Sequence, residues 1–166
     1  MFVLGIDPGV SRCGYGCVSG APGGGLQARA VGVITTSPDD PLPHRLALLQ
    51  AELRDLIAEL APEVVVVERV FFQTNVKTAM SVGQASGLAL AAASAAGCEV
   101  AQYTANEVKQ SVAGYGGADK GQVQRMVQRL LNLAEVPSPP DAADALALAL
   151  CHLNRAPRLA RIGAQQ

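Results

Sequence analysis

No two of the four cysteines form a C-x-x-C pair, and the two histidines, His44 and His152, lie far apart, so zinc-site spacing is missing. Cys13, Cys17, Cys98 and Cys151 therefore read as reduced, buried thiols. No apolar run approaches the ~20 residues that span a bilayer, and the N-terminus lacks the basic flank and long apolar stretch of a signal peptide. These absences lead us to expect a cytoplasmic protein with no membrane partner. A strong charge of either sign is missing too, since 13 basic groups meet 14 acidic ones for a net −1. Internal repeats and low-complexity segments are not evident. What is present is a 166-residue chain, 49% hydrophobic, large enough to bury one good core and short for two domains.

The apolar pattern divides this chain into elements. "FVLGID" reads as a strand, "RCGYGCVS" as a second and "LQARAVGVITT" as a third, with the glycine-rich "APGGGL" joining the last two, an antiparallel meander. Leu46, Leu49, Leu53, Leu56, Ile57 and Leu60 then recur at helical spacing up to Pro62, with the charges on the other side. "EVVVVE" is an all-apolar run closed by an acid, the pattern of a central parallel strand covered on both faces. Residues 76–96 form a helix rich in small side chains. Its glycines, Gly83 and Gly87, each weaken it by about 1 kcal/mol relative to alanine, so a close contact is expected there, either across a two-fold axis or against the sheet. "CEVAQYT" is a last strand, Thr104 caps a helix over "ANEVKQSVA", and a glycine-rich loop precedes a helix over "ADKGQVQRMVQRLLNL". "PSPP" breaks the pattern before the final helix, "DAADALALALCHL". The expected fold is α/β, a mixed five-stranded sheet of meander plus parallel strands flanked by helices.

Acids fall where such folds place ligand sites, at the carboxyl ends of strands. Asp7 ends the first strand and Glu68 the fourth, while Asp141 and Asp144, at i and i+3, share the first turn of the last helix. Each has an ordinary alternative: Asp141 after Pro-Pro as a helix cap, Asp7 before Pro-Gly as an Asx turn, Glu68 as half of an ion pair. Four together supply what a hard divalent cation needs, oxygen ligands on rigid elements. Setting those four aside leaves 13 basic against 10 acidic groups, a balance of +3 that permits a nucleic-acid partner without predicting one.

The segments "LGIDPGVSRCGYG", "VVVVERVFFQTN", "SVGQASGLAL", "ANEVKQSVAGYGGADKGQVQRMV" and "PPDAADALALALCHL" together resemble the bacterial RuvC-family Holliday junction resolvases, members of the RNase H-like nuclease superfamily. The resemblance runs from Met1 to about Asn154 and implies a nuclease domain over 1–154, with 155–166 left as a basic, mobile tail. By motif position it implies that Asp7, Glu68, Asp141 and Asp144 are both the catalytic residues and the metal ligands. Some relatives carry histidine at the third position; here it is Asp141. Two Mg2+ ions per site are implied, with Mn2+ a possible substitute, and paired, symmetric hydrolysis of four-way DNA junctions to 5′-phosphate and 3′-hydroxyl ends in recombination and repair.

The same resemblance implies DNA-binding roles for Phe71, Lys109 and Lys120. Sequence physics alone does not choose between Phe71 and Phe72, one of which fits the core, and a solvated lysine is the usual alternative for each of the two lysines. A homodimer is implied, as are the branch-migration partners RuvA and RuvB. "GIDPG" is also similar to the phosphate-binding hairpin of the actin and sugar-kinase ATPases, but those duplicate the domain and this chain holds one copy. A non-catalytic junction binder is the other alternative, against which the full set of four acids argues.

Overall fold

The computed structural model describes residues 1–20, 25–69 and 76–163, with backbone alone for 76–78 and 157–163. The described elements are β1 (Phe2–Asp7), β2 (Arg12–Gly20), β3 (Leu26–Thr35), α1 (Leu42–Leu60), β4 (Val64–Glu68), α2 (Val76–Ala95), β5 (Glu99–Tyr103), α3 (Ala105–Ala113), α4 (Lys120–Leu130) and α5 (Pro140–Gly163). The strands form one mixed sheet in the order β3-β2-β1-β4-β5. β1 pairs antiparallel with β2, which pairs antiparallel with β3, whereas β4 is parallel to both β1 and β5. The expected meander plus parallel strands is therefore the architecture found.

The pleat sends alternate residues to opposite layers. Leu4 and Ile6 of β1, with Val65 and Val67 of β4, pack against Leu49, Leu53 and Ile57 of α1 and Ala85 and Ala89 of α2. Val3, Val64 and Val66 point the other way, into a core with Val108 of α3, Val123 and Val127 of α4, and Leu146 and Leu150 of α5. This alternation decides where the acids go. Asp7 follows Val3 and Gly5 in period two, and Glu68 follows Val64 and Val66, so both carboxylates emerge on the α5 side of neighbouring strands.

α5 lies close against that side because three glycines let it. A Cβ at Gly5 of β1 would fall on the Ala145 carbonyl, one at Gly14 of β2 on the Asp141 carbonyl, and one at Gly16 would lie 2.7 Å from the Leu146 backbone nitrogen. These residues clear a channel across β1 and β2 for the helix carrying Asp141 and Asp144. By contrast, among the described residues a Cβ at Gly83 or Gly87 of α2 would meet nothing within 4 Å. Of the two contacts expected for this face, the sheet is therefore met by Ala85, Ala89 and Ala93 instead, and the glycines face outward with Met80, which is 61% exposed.

The last helix runs further than the sequence pattern outlines. α5 continues to Gly163, so residues 155–163 of the expected basic tail are helical. Arg155 supplies a physical reason, since its guanidinium lies 5.2 Å above the Tyr103 ring and 3.2 Å from Glu107 Oε1, fastening the helix beyond Asn154. The cysteines are free thiols, with Cys13, Cys17 and Cys151 buried, and burial pushes Cys17 up to about 12. Among the described residues no helix is long and apolar enough to cross a membrane.

Candidate metal and nucleic-acid site

Parallel pairing of β1 and β4 continues to Ile6 opposite Val67, so Asp7 and Glu68 follow as the next residues on adjacent strands. Their carboxylates are close enough to repel each other, and the Glu68 charge helps to raise the Asp7 carboxyl. The turn after Asp7 is pinned from outside: Thr36 Oγ1 donates to the Val10 carbonyl at 2.7 Å, and Arg45 donates through Nε to Thr36 Oγ1 at 2.9 Å and through Nη2 to Ser11 Oγ at 2.5 Å. Buried Val10 anchors the same turn. Asp7 thereby sits on a rigid strand end.

Asp141 and Asp144 reach the same place from the first turn of α5. Each holds a basic partner. Arg12, the first residue of β2, donates through Nε to Asp141 Oδ2 at 3.0 Å, with Nη2 also 3.0 Å from that oxygen. Lys120, the first residue of α4, places Nζ 2.6 Å from Asp144 Oδ2. Its position is fixed by a capping box in which Asp119 accepts from Gln122 N at 2.8 Å and Gln122 Oε1 accepts from Asp119 N at 2.9 Å. Thr104 caps α3 as expected, through the reciprocal box with Glu107. α3 in turn carries Lys109 to the wall of a cleft of about 230 Å³ that also holds Glu68, Lys120 and Asp144, with Val108 and Val123 as apolar lining.

The electrostatics are those of crowded acids. Burial, then repulsion from Glu68, Asp144 and Asp141, raises Asp7 from 3.8 to about 7, against an opposing pull from Lys120. Burial also raises Glu68 and Asp144, each relieved in part by Lys120. The Lys120 ammonium is held charged, first by its hydrogen bond to Asp144. Like charges sharing a poorly solvated space resist full ionisation unless a cation joins them.

Among the described residues, no three acidic, histidine or cysteine side chains are already disposed around one point as a metal site. The four carboxylates influence one another strongly, yet two of them are turned toward Arg12 and Lys120. The donor set nevertheless fits a hard divalent cation: every candidate ligand atom is a carboxylate oxygen, two carboxylates are on strand ends and two near the start of a helix, and Arg12 and Lys120 pair with only two of the four. Asp7, Glu68, Asp141 and Asp144 are the residues that would hold it.

Of the DNA-contacting residues expected from sequence, Lys109 and Lys120 lie at the site, while Phe71, with Phe72, falls outside the described residues. Among the described residues Glu68 forms no salt bridge with a basic side chain, and the Asp141 carboxylate is taken by Arg12. Sequence reasoning missed Arg12 altogether. Its one signal is position, a cation five residues after Asp7 across a tight turn. The glycine channel was missed as well, although Gly14 and Gly16 alternate along β2 on the face that α5 covers.

A sequence model of the family described as "Crossover junction endodeoxyribonuclease RuvC" matches residues 3–152. The crossover junction endodeoxyribonuclease RuvC of Salinispora arenicola is 53% identical over 99% of this chain and 94% of its own length. Among solved structures, Thermus thermophilus RuvC in complex with Holliday junction substrate is 39% identical, covers 94% of each chain and superposes with a TM-score of 0.88. The yeast mitochondrial Holliday junction resolvase Ydc2, at 17% identity and a TM-score of 0.70 over 96% of this chain, shares the fold. With a family match over nearly the whole length and the carboxylates of its motifs gathered on one face of the sheet, the chain belongs to the RuvC family of crossover junction endodeoxyribonucleases.

Proposed function

We propose that this protein resolves Holliday junctions by metal-dependent hydrolysis of phosphodiester bonds, cutting two strands symmetrically as a homodimer. The observation that carries the reading is the mutual repulsion of Asp7 and Glu68, from parallel strands, with Asp141 and Asp144 from α5, beside a cleft lined by Glu68, Asp144, Lys109 and Lys120. The Thermus thermophilus relative in complex with its junction substrate supports the choice of DNA. The four carboxylates would hold two magnesium ions. The chemistry supplied by bound magnesium, or by manganese in its place, is Lewis-acid activation of the attacking water and relief of charge on the departing 3′ oxygen, leaving 5′-phosphate and 3′-hydroxyl ends.

The chain's own residues do the remaining work. Asp7 and Glu68 sit on strand ends that cannot swing, and so fix the geometry of the reacting phosphate relative to the water. Asp7 gives up the proton it retains to about pH 7 when the cluster is loaded, which makes loading more favourable at higher pH. Lys109 and Lys120 contact phosphates from the cleft wall, and Lys120 can turn from Asp144 toward DNA without losing a partner of opposite charge. We assign to Phe71 the role of stacking on an unpaired base beside the cut. The outward stripe of Met80, Gly83 and Gly87 is the face we assign to the two-fold contact, because close backbone approach there would offset the helix-weakening glycines. The setting we assign is the cytoplasm, in recombination and repair, with RuvA and RuvB as branch-migration partners.

The test is cleavage of a synthetic four-way junction with magnesium or with a chelator, with ATP hydrolysis followed in parallel. Paired, religatable nicks that require the metal are expected, and no ATP turnover. Asp7→Asn should abolish cutting while leaving junction binding intact, since the amide keeps the shape but is a poor metal ligand. Near-normal cutting by this variant in magnesium would refute the assignment, as would ATP turnover without nicking.

A further inference from the structure

Arg12 is tied to the site by only one edge of its guanidinium. Nε and Nη2 both address Asp141 Oδ2, which uses two of five N–H groups and leaves three. Among the described residues it makes no other side-chain hydrogen bond or ion pair, and the side chain is 49% exposed. An arginine whose sole task was to hold Asp141 would gain from burial of the fork. Here about half of the side chain is open to solvent beside Asp141.

Its place in the sheet gives that edge a meaning. In the order β3-β2-β1-β4-β5, Asp7 lies on β1, Arg12 starts β2 on one side of it, and Glu68 ends β4 on the other. Lys109 and Lys120 enter from the β4 side, where they share the cleft with Glu68. The cations therefore flank the acid cluster from two directions. From β2 to β4 is two strand spacings, about 10 Å, so cations on the two flanks would face different phosphates of one strand. A nucleic-acid strand laid across the carboxylates meets lysines before the cut and Arg12 after it, or the reverse.

We propose that Arg12 binds a backbone phosphate of the cut strand on the β2 flank of the carboxylates, opposite Lys109 and Lys120, with the guanidinium edge that Asp141 leaves free. This rests on the junction-resolving activity proposed above. The same side chain then couples two events, since the strand it grips is registered against the Asp141 carboxylate it holds. A planar fork suits this double role in a way that an ammonium does not, having separate edges for carboxylate and phosphate.

The experiment measures affinity for a fluorescent four-way junction against salt concentration in a chelator, for the unaltered protein, Arg12→Gln, Arg12→Lys and Arg54→Ala. The last removes an equal charge from the exposed side of α1, in the layer on the other face of the sheet. Arg12→Gln is expected to reduce the slope of log affinity against log salt by about 0.9, one counterion, which corresponds to roughly eight-fold weaker binding near 0.1 M salt. Arg12→Lys should restore the slope and Arg54→Ala should not change it. A slope unaltered in Arg12→Gln, with slower cutting, would overturn the proposal and reduce Arg12 to a positioning residue for Asp141. An equal drop in Arg54→Ala would overturn it too, as an effect of net charge. Should Arg12→Gln fail to fold, an Arg12→Lys slope below that of the unaltered protein would overturn it, and an equal slope would support it. Absence of junction binding by the unaltered protein would refute the underlying activity instead.

Discussion

Asp7→Asn should make the metal-free protein more stable at alkaline pH while destroying its activity. The folded state holds the Asp7 proton up to about 7, whereas the ordinary carboxyl value is 3.8. Between those values the folded chain binds a proton that the unfolded chain has released, so stability is fully present below 3.8 and falls as pH rises through about 7. At ~1.36 kcal/mol for each tenfold change in proton affinity, the loss is on the order of 4 kcal/mol once both states are ionised. Asparagine never ionises and escapes that loss. Because the chain has no tryptophan, unfolding in urea is best followed by circular dichroism, in a chelator, at about pH 4 and about pH 8.5. The two proteins should be similar in the acid and separate in the alkali, the variant being the more stable by roughly 2–4 kcal/mol. If the cluster is the proposed magnesium site, magnesium should close the gap by stabilising the unaltered protein alone, because the ion then binds only the folded state. A gap independent of pH, or a variant less stable in alkali, would refute the account of Asp7 as a carboxylate crowded by like charges.

The contrast between what was legible and what was not follows sequence distance. Strands and helices announced themselves because burial imposes a period within a few residues: Leu49, Leu53 and Ile57 on one helix face, and Val64 to Val67 buried on both faces of a central strand. The four acids were legible for a similar reason. Asp7 and Glu68 each close an apolar strand at the end where α/β sheets open to solvent, and Asp141 and Asp144 stand at the start of an apolar helix, all of them local signals. Arg12 was not legible, because its partner lies 129 residues away and the pairing depends on how α5 is seated over β2. That seating depends on Gly5, Gly14 and Gly16, whose small size reads locally as weak strand propensity and acquires its meaning only when the helix is in place. Gly83 and Gly87 differ in kind. Their spacing implies a close contact, and among the described residues nothing lies within 4 Å of a Cβ built there, so sequence alone could not choose between the sheet and a second copy. The contacts of Arg155 with Tyr103 and Glu107 join residues distant in sequence, which a basic, polar segment does not advertise.

Two further perturbations probe the same site from its neighbours. Lys120→Ala should weaken junction binding and lower its salt slope by about one counterion. It should also move metal loading to higher pH, because the ammonium that pulls Asp7, Glu68 and Asp144 down is gone; unchanged affinity, slope and loading would make Lys120 a solvated surface lysine. Gly14→Ala tests whether the glycine channel places the catalytic helix. The new methyl carbon would lie 2.5 Å from the Asp141 carbonyl carbon and 3.0 Å from its Cβ, inside any tolerable contact, and both neighbours are backbone or bonded directly to it. No rotamer relieves that clash, so α5 must lift from β2. Overpacking of this kind costs about 1–3 kcal/mol, which urea unfolding would register. The larger effect should fall on chemistry, since a shift near 1 Å in Asp141 and Asp144 relative to Asp7 and Glu68 is enough to slow a positioned reaction by about 100-fold. Junction affinity, which depends on cations at the cleft and not on ligand geometry, should change little. A Gly14→Ala protein that is folded and cuts at the normal rate would show that α5 need not touch β2 for the carboxylates to meet, and the channel would lose its claim to position them.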